Sequence, residues 1–142
     1  MRPLKQLIEE KPATVTVTPD DTVFAALTLL AQFDIGALLV LDQGRLVGLF
    51  SERDYARKII LKGKASRDTL VREIMSEKLS CVTLSQTVQE CMALMTERHV
   101  RHLPVINDKD EVLGILSIGD LVKETISDQK FTIEQLVHYI QN

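Results

Sequence analysis

Two short motifs in this chain place a carboxylate three residues after a hydroxyl: Ser51 with Asp54, and Ser117 with Asp120. At the first turn of a helix, such a carboxylate could accept hydrogen bonds from both hydroxyls of a ribose, while the serine hydroxyl and free backbone N–H groups face the same ligand. The same spacing also describes an N-cap serine with an acidic residue in the first helical turn, which stabilises a helix without any ligand. Taken alone, the motif leaves both interpretations open.

The two motifs occupy equivalent places in an internal repeat. Residues 17–54 and 82–120 follow one pattern at an offset of 65 to 66 residues, and each copy ends on Ser-x-x-Asp. Self-similarity of this kind predicts that each copy is one structural half. Because halves of this length would be marginally stable alone, we expect the two copies to share one core.

Hydrophobic periodicity predicts the elements of each copy. Apolar residues recur at helical spacing over residues 23–31 and again over residues 88–96. After each helix, two strands joined by a turn are predicted, at 37–41 and 46–50 in the first copy and at 103–106 and 112–116 in the second. A short extended piece lies before each helix, at 14–18 and at 80–84. We expect Asp20 or Asp21 to cap the first helix, Ser85 or Thr87 to cap its equivalent, and Thr87 to form a capping box with Glu90.

A second helix is predicted to begin at each Ser-x-x-Asp motif, which gives both copies the order β-α-β-β-α. A short lead-in helix is predicted before each copy, because apolar residues lie at positions 4, 7 and 8 and again at 71, 74 and 75. We therefore predict an α+β fold with two pseudo-symmetric domains. The first domain is placed at residues 1–62 with its lead-in helix, the linker at 63–70, the second domain at 71–125 and a C-terminal helix at 126–142.

The C-terminal segment is predicted to be an amphipathic helix. Residues 132–135 have the form of a capping box, and the apolar residues Ile133, Leu136, Val137 and Ile140 recur at helical spacing. Such a stripe packs either on its own domain or against another subunit, and both alternatives stay open at this point.

Composition argues against several classes of function. The formal net charge of −3 provides no general field for binding nucleic acid, and no segment has the roughly 18 apolar residues of a membrane span. We expect a cytoplasmic protein that binds neither nucleic acid nor membrane. Cys81, Cys91 and the three histidines lack metal-ligand spacing, and no nucleophile–base pair or phosphate-binding loop is present. We expect no metal and no enzymatic activity.

The repeated motifs resemble the cystathionine-β-synthase-type (CBS) domain, which occurs in tandem pairs called Bateman modules. The resemblance is carried by residues 35–40 with 46–57 and by residues 98–105 with 113–121, and it extends over about residues 4–123. The chain looks like the small stand-alone bacterial type. The resemblance implies two domains packed as one module, with clefts between them that bind adenine nucleotides. Together with the duplication, it favours a ligand-binding role for the two Ser-x-x-Asp motifs.

The resemblance also implies which residues form each cleft, because family members combine the Ser-x-x-Asp motif of one domain with the strand entrances of the other. One site would join Ser117 and Asp120 to Val15, Ile35, Gly36 and Ala37. The second would join Ser51 and Asp54 to Cys81, Val100 and Arg101.

The cationic positions differ between the copies. Arg101 and His102 match positions that often contact phosphates in the family, and Arg53 lies at a helix N-terminus where it could do the same. Arg57 and Lys58 are interpreted as part of a solvated helix face. The two clefts are therefore predicted to be unequal at their phosphate ends.

These observations support a non-enzymatic regulatory module. We expect it to need no cofactor, to bind AMP, ATP or NAD(H), to form a homodimer through paired modules, and to be sensed by an unidentified protein effector. The alternative is a structural module that acts through oligomerisation and partner binding and whose nucleotide clefts are vestigial.

Overall fold

A computed structural model describes residues 1–141 and contains the predicted helices and hairpin strands, whereas the extended piece predicted at 80–84 forms only an isolated bridge. In chain order they are α1 (Leu4–Glu10), β1 (Thr16–Val17), α2 (Val23–Phe33), β2 (Ala37–Asp42), β3 (Arg45–Ser51), α3 (Glu52–Tyr55) with a π-helical turn (Ala56–Ile60), α4 (Val71–Ile74), α5 (Val88–Arg98), β4 (His102–Ile106), β5 (Val112–Ser117) and α6 (Ile118–Gln141). The first copy has the complete order β-α-β-β-α, and the second has α-β-β-α with an isolated bridge at Val82 in place of its first strand. The predicted α+β fold class is confirmed.

The chain divides into two units that are discontinuous in sequence. The first unit comprises Ala13–Ser80 and Asn107–Val112. The second unit comprises Met1–Pro12, Cys81–Ile106 and the chain from Leu113 onward. Each unit has its own cluster of buried apolar side chains.

The two repeats build different sheets. In the first unit β2 is central, with β1 parallel to it and β3 antiparallel. Gln43 and Gly44 join β2 to β3, and both have positive φ, which a two-residue type I′ turn requires. In the second unit β4 pairs with β5 alone, and the equivalent of β1 is a single parallel bridge between Val82 and Val105.

The lead-in helices are exchanged between the repeats. Leu4 and Leu7 of α1 are buried in the core of the second unit, whereas Val71 and Ile74 of α4 are buried in the core of the first. Helices of seven and four residues are too short to be stable alone, so each depends on this burial. The predicted first domain, residues 1–62, includes the lead-in helix that precedes it in the chain. The structure instead places Met1–Pro12 with the second repeat.

Helix α2 begins at Val23 as predicted, but its N-cap residue differs from the prediction. Thr22 is the N-cap, with its side-chain oxygen accepting a hydrogen bond from the Ala25 N–H at 3.1 Å. Asp21 instead accepts from the Thr18 N–H at 2.8 Å, and Asp20 forms an ion pair with Arg72. Both aspartates are thus engaged elsewhere, and their prediction as the cap is wrong.

At the equivalent helix α5, the predicted capping box is confirmed. Thr87 accepts from the Glu90 N–H at 3.1 Å, and Glu90 accepts from the Thr87 N–H at 3.2 Å.

The predicted linker at residues 63–70 is an ordered part of the first unit. The carbonyl oxygens of Ser66 and Thr69 accept hydrogen bonds from the N–H groups of Phe24 and Val23, at 3.0 and 2.8 Å. These N–H groups lie in the first turn of α2 and have no partner within the helix. The linker therefore completes the start of this helix.

Helix α6 continues for 24 residues without interruption. Residues 132–135 do not act as a capping box, because the Thr132 hydroxyl donates back to the Asp128 carbonyl one turn earlier, at 3.1 Å, as it does inside a helix. The apolar stripe Ile133, Leu136, Val137 and Ile140 is exposed by between 45% and 80%, so its own chain leaves it uncovered. Within residues 1–141, no helix is both long and apolar enough to cross a membrane.

We expect Gly48→Ala to destabilise the first unit. A Cβ at this position of β3 would lie 2.6 Å from Sδ and 3.0 Å from Cγ of Met75, so the Met75 side chain would have to move. Overpacking of this kind costs about 1–3 kcal/mol in the free energy of unfolding, measurable by urea denaturation. Gly119→Ala is the matched control, because its Cβ meets nothing nearer than 3.5 Å. Equal midpoints for Gly48→Ala and the unmodified protein would contradict this account.

Candidate functional site

In the first unit, the end of β3 and the start of α3 position Ser51 and Asp54. The Ser51 side chain accepts from the Asp54 N–H at 3.2 Å, and Asp54 Oδ2 accepts from the Ser51 N–H and hydroxyl at 3.0 and 3.1 Å. This reciprocal pair is a capping box, in which an aspartate takes the place that glutamate or glutamine usually occupies.

The other carboxylate oxygen of Asp54 is also occupied. Oδ1 accepts from the Ser76 hydroxyl at 3.2 Å and lies 3.1 Å from Lys58 Nζ, which also donates to the Ile74 carbonyl at 2.9 Å. The Asp54 side chain is only 10% exposed. Lys58 therefore binds within the first unit, and its interpretation as part of a solvated helix face is wrong.

In the second unit, the end of β5 and the start of α6 position Ser117 and Asp120 in the same way. Asp120 Oδ2 accepts from the Ser117 N–H at 2.8 Å, and the Ser117 hydroxyl accepts from the Asp120 N–H at 3.1 Å. The helix-capping interpretation thus holds for both motifs. It does not exclude a ligand, because the same bonds also fix the orientation of the carboxylate.

Asp120 has a different cationic partner, which comes from the N-terminal segment. Lys11 directly follows α1, and its Nζ donates to Asp120 Oδ2 at 2.5 Å and to the Ile115 carbonyl at 2.6 Å. The Asp120 side chain is 32% exposed, and within residues 1–141 its Oδ1 has no hydrogen-bond partner. Of the two carboxylates, Asp120 is the more accessible to a ligand.

Each motif also contacts the strand entrance of its own repeat through the backbone. The Glu52 N–H donates to the Gly36 carbonyl at 3.1 Å, and the Ile118 N–H donates to the Arg101 carbonyl at 2.9 Å. Within the units, the structure thus brings Gly36 to the first motif and Arg101 to the second. The crosswise grouping implied by the family resemblance combines residues of different units and stays a prediction.

The remaining predicted site residues lie at the ends of elements. In the first unit, Val15 lies just before β1 and Ile35 lies in the turn after α2. Ala37 is the buried first residue of β2, and Arg53 is exposed in α3. Those of the second unit are the partly buried Cys81, Val100 and His102, the last of which begins β4.

Positive charge concentrates around Asp120. Burial lowers the pKa of His102 below its ordinary value of 6.5, and the positive charges of Lys11 and Arg101 lower it further, against the opposite effect of Asp120. Burial alone would raise the pKa of Asp120, but hydrogen bonds from Lys11 and Ser117 outweigh it, and the pKa lies below the ordinary value of 3.8. Asp120 is therefore ionised and His102 is neutral at physiological pH.

A second ion pair ties the N-terminal segment to α6. The buried Glu124 lies one turn after Asp120 and accepts from Arg2 Nε at 3.1 Å and from its NH2 group at 2.9 Å. Hydrogen bonds from Arg2 lower the pKa of Glu124 below its ordinary value of 4.5. The segment that carries Lys11 is thus bound at two successive turns of α6.

Lys11, Ser76 and the role of Lys58 were not predicted from the sequence. Lys58 follows Asp54 by four residues, and this helical spacing was a usable signal. No local pattern indicates Lys11 or Ser76, because both belong to segments that cross to the other repeat. Among the described residues, no cluster of three or more His, Cys, Asp or Glu side chains could hold a metal ion.

Comparison with known proteins gives a family match over most of the chain. The model of the CBS domain matches residues 5–61 and 71–127. The chain is 43% identical over 129 residues to the mitochondrial CBS domain-containing protein CBSX3 of Arabidopsis thaliana, covering 87% of this chain and 62% of that relative. It thus spans less than two thirds of the relative's length.

Two solved structures are similar to the chain. A protein with CBS domains from Burkholderia ambifaria MC40-6 is 46% identical with a TM-score of 0.85, covering 90% of this chain and 96% of that one. The CBS domain pair of protein MJ0100 was solved in complex with 5′-methylthioadenosine and S-adenosyl-L-methionine. It is 22% identical with a TM-score of 0.78, covering 90% and 98% of the two chains, and at this identity the likeness shows the fold.

We expect the second unit to lose stability as the pH falls below about 6.5. Because the pKa of His102 is lower in the folded than in the unfolded protein, the unfolded chain binds more protons in this window, and acidification favours unfolding. His102→Gln should flatten the dependence of the free energy of unfolding on pH between pH 7 and about 5, above the range where carboxylates titrate. Denaturation series at several pH values measure this. Parallel curves for both proteins would contradict the assignment.

Proposed function

Since the chain belongs to the CBS domain family and carries two such domains in tandem, we propose that it is a regulatory module that binds an adenosine-containing ligand. The observation that carries the proposal is the start of α6, where Asp120 is fixed by Ser117, ionised and partly exposed. A carboxylate in this state is an acceptor for the two hydroxyls of a ribose.

The finer ligand class within this proposal is AMP, ATP or NAD(H). The complex of MJ0100 with two adenosine derivatives supports an adenosine moiety as the shared element. The positive charges of Lys11 and Arg101 near Asp120 favour a ligand with negative charge near its ribose.

We further propose that the two Ser-x-x-Asp motifs are not equivalent in this function. Asp54 uses both carboxylate oxygens inside the first unit, with Ser51 on one and Ser76 with Lys58 on the other. A ribose would have to displace these partners and enter a nearly buried position. Asp120 keeps one oxygen available, so ligand binding is assigned first to Asp120.

Assembly is the second candidate function, and the exposed stripe of α6 favours it. Ile133, Leu136 and Ile140 follow one another at three and four residues, which is the spacing of a coiled-coil seam. Uncovered apolar surface of this kind is unfavourable in water. We propose that a second copy of the chain covers it and that the regulatory module acts as a homodimer.

The ligand proposal predicts that Asp120→Asn weakens AMP binding by about 10- to 100-fold, because hydrogen bonds to a charged group contribute about 1.5–3 kcal/mol. Isothermal titration of nucleotide-free protein with AMP, ATP, NAD and NADH measures this. Asp54→Asn is the matched control, for which we expect lower stability but an AMP dissociation constant within about twofold of the unmodified protein. No binding of any of the four ligands at millimolar concentration would refute the proposed function.

The assembly proposal predicts that Leu136→Glu converts a dimer into a monomer, because the new carboxylate would be buried without a partner at the seam. Light scattering coupled to size-exclusion chromatography gives the mass directly. Gln135→Glu adds the same charge at the neighbouring helical position, about 100° away around the helix, and should leave the mass unchanged. A monomeric unmodified protein, or a dimeric Leu136→Glu variant, would contradict the proposal.

A further inference from the structure

We propose that Lys11 is the residue that makes the Asp120 site selective for phosphorylated over uncharged nucleosides. In this proposal, the ribose hydroxyls take over the Asp120 carboxylate and the Lys11 ammonium moves from that carboxylate to the phosphate of the ligand. The inference rests on the proposed function and adds to it a specificity-determining residue from outside both Ser-x-x-Asp motifs.

The contacts of Lys11 create a competition for Asp120. Its Nζ lies 2.5 Å from Asp120 Oδ2, the same carboxylate that ribose hydroxyls would need. A ligand that engages Asp120 fully weakens this ion pair and leaves the ammonium bound to the uncharged Ile115 carbonyl. The Lys11 side chain is only 29% exposed, so water compensates the loss incompletely. A ligand that supplies its own anion restores the pairing, whereas an uncharged nucleoside does not.

The charge balance around the site points in the same direction. Lys11 and Arg101 both act on His102 as positive charges, and Asp120 is the negative group that opposes them. Uncharged ribose hydroxyls leave this balance unchanged, so two cations still face the ligand against one carboxylate. A phosphate group carries the opposite charge, and a lysine ammonium on its flexible stem is suited to reach it.

The backbone of Lys11 is held in place while its side chain is free to change partner. The Lys11 N–H donates to the Ile8 carbonyl at 3.2 Å, and α1 is anchored through the buried Leu4 and Leu7. Arg2 fixes the other end of the segment on Glu124. An exchange of partner by Lys11 therefore requires only side-chain rotation.

In the first unit, the lysine that pairs with the Ser-x-x-Asp carboxylate does not come from a lead-in segment. There the lysine is Lys58, on the same helix as Asp54 and bound also to the Ile74 carbonyl. In the second repeat the corresponding position, 66 residues later, is Glu124, so α6 cannot supply this cation itself. The N-terminal segment supplies it instead, which is why selectivity is assigned to the Asp120 site alone.

The test compares AMP with adenosine in four proteins by isothermal titration: the unmodified chain, Lys11→Met, Lys11→Arg and the control Lys5→Met on the exposed face of α1. We expect Lys11→Met to weaken AMP binding by about tenfold or more and to leave adenosine binding unchanged or tighter, so that the preference for AMP collapses. Lys11→Arg should retain the preference, and Lys5→Met should match the unmodified chain. If Lys11→Met fails to fold, Lys11→Gln is measured in its place.

The outcomes separate the two proposals. If the lysine variant changes AMP and adenosine binding by the same factor, or changes neither, Lys11 is not a selectivity residue, while the adenosine-binding function stands. If the unmodified chain binds neither ligand, both proposals fail. A preference for adenosine over AMP in the unmodified chain would overturn the role of Lys11 and leave a nucleoside-binding function.

Discussion

Both candidate carboxylates depend on two short helices, α1 and α4, that cannot fold alone and must be buried against a core. α1 and α4 each bury an apolar face in the core of the other repeat. This burial carries the residues that follow each helix across to the opposite Ser-x-x-Asp motif, so that Lys11 reaches Asp120 and Ser76 reaches Asp54. A segment distant in sequence thus supplies a hydrogen-bond donor to each carboxylate, and for Asp120 that donor is also its cation.

The same hydrogen bonds serve helix stability and ligand geometry. Ser51 and Ser117 cap α3 and α6, and the capping bonds hold Asp54 and Asp120 in one orientation. A capping aspartate is therefore preorganised as an acceptor at no further entropic cost. What distinguishes the two motifs is how many internal donors have already taken the carboxylate, and in this respect Asp54 is closer to a purely structural cap.

Most of the fold can be predicted from local sequence patterns, whereas most of the difference between the Asp54 and Asp120 sites cannot. Periods of 3.6 and 2 locate α2, α5 and the four strands of the two hairpins, and the repeat predicts that both Ser-x-x-Asp motifs begin helices. Local rules failed where three adjacent residues can all serve as an N-cap, as at Asp20, Asp21 and Thr22. They also failed where a capping pattern occurs inside a longer helix, as at Thr132. They could not indicate Lys11, because its position depends on which core buries α1, and periodicity alone does not carry that information.

Because α6 is uninterrupted, a small tilt at its first turn would move its far end by a larger distance. Asp120 lies in its first turn and Leu136 sixteen residues later, a separation of about 24 Å along the axis at 1.5 Å per residue. The helix contains no proline, and no glycine after Gly119, so the residues that most often kink helices are absent from its length beyond Asp120. A tilt of only about 5° at the carboxylate end would therefore displace the apolar stripe by about 2 Å over that length. Under the proposed function, a small adjustment around a bound ribose would be amplified in this way into a movement that a protein partner could detect.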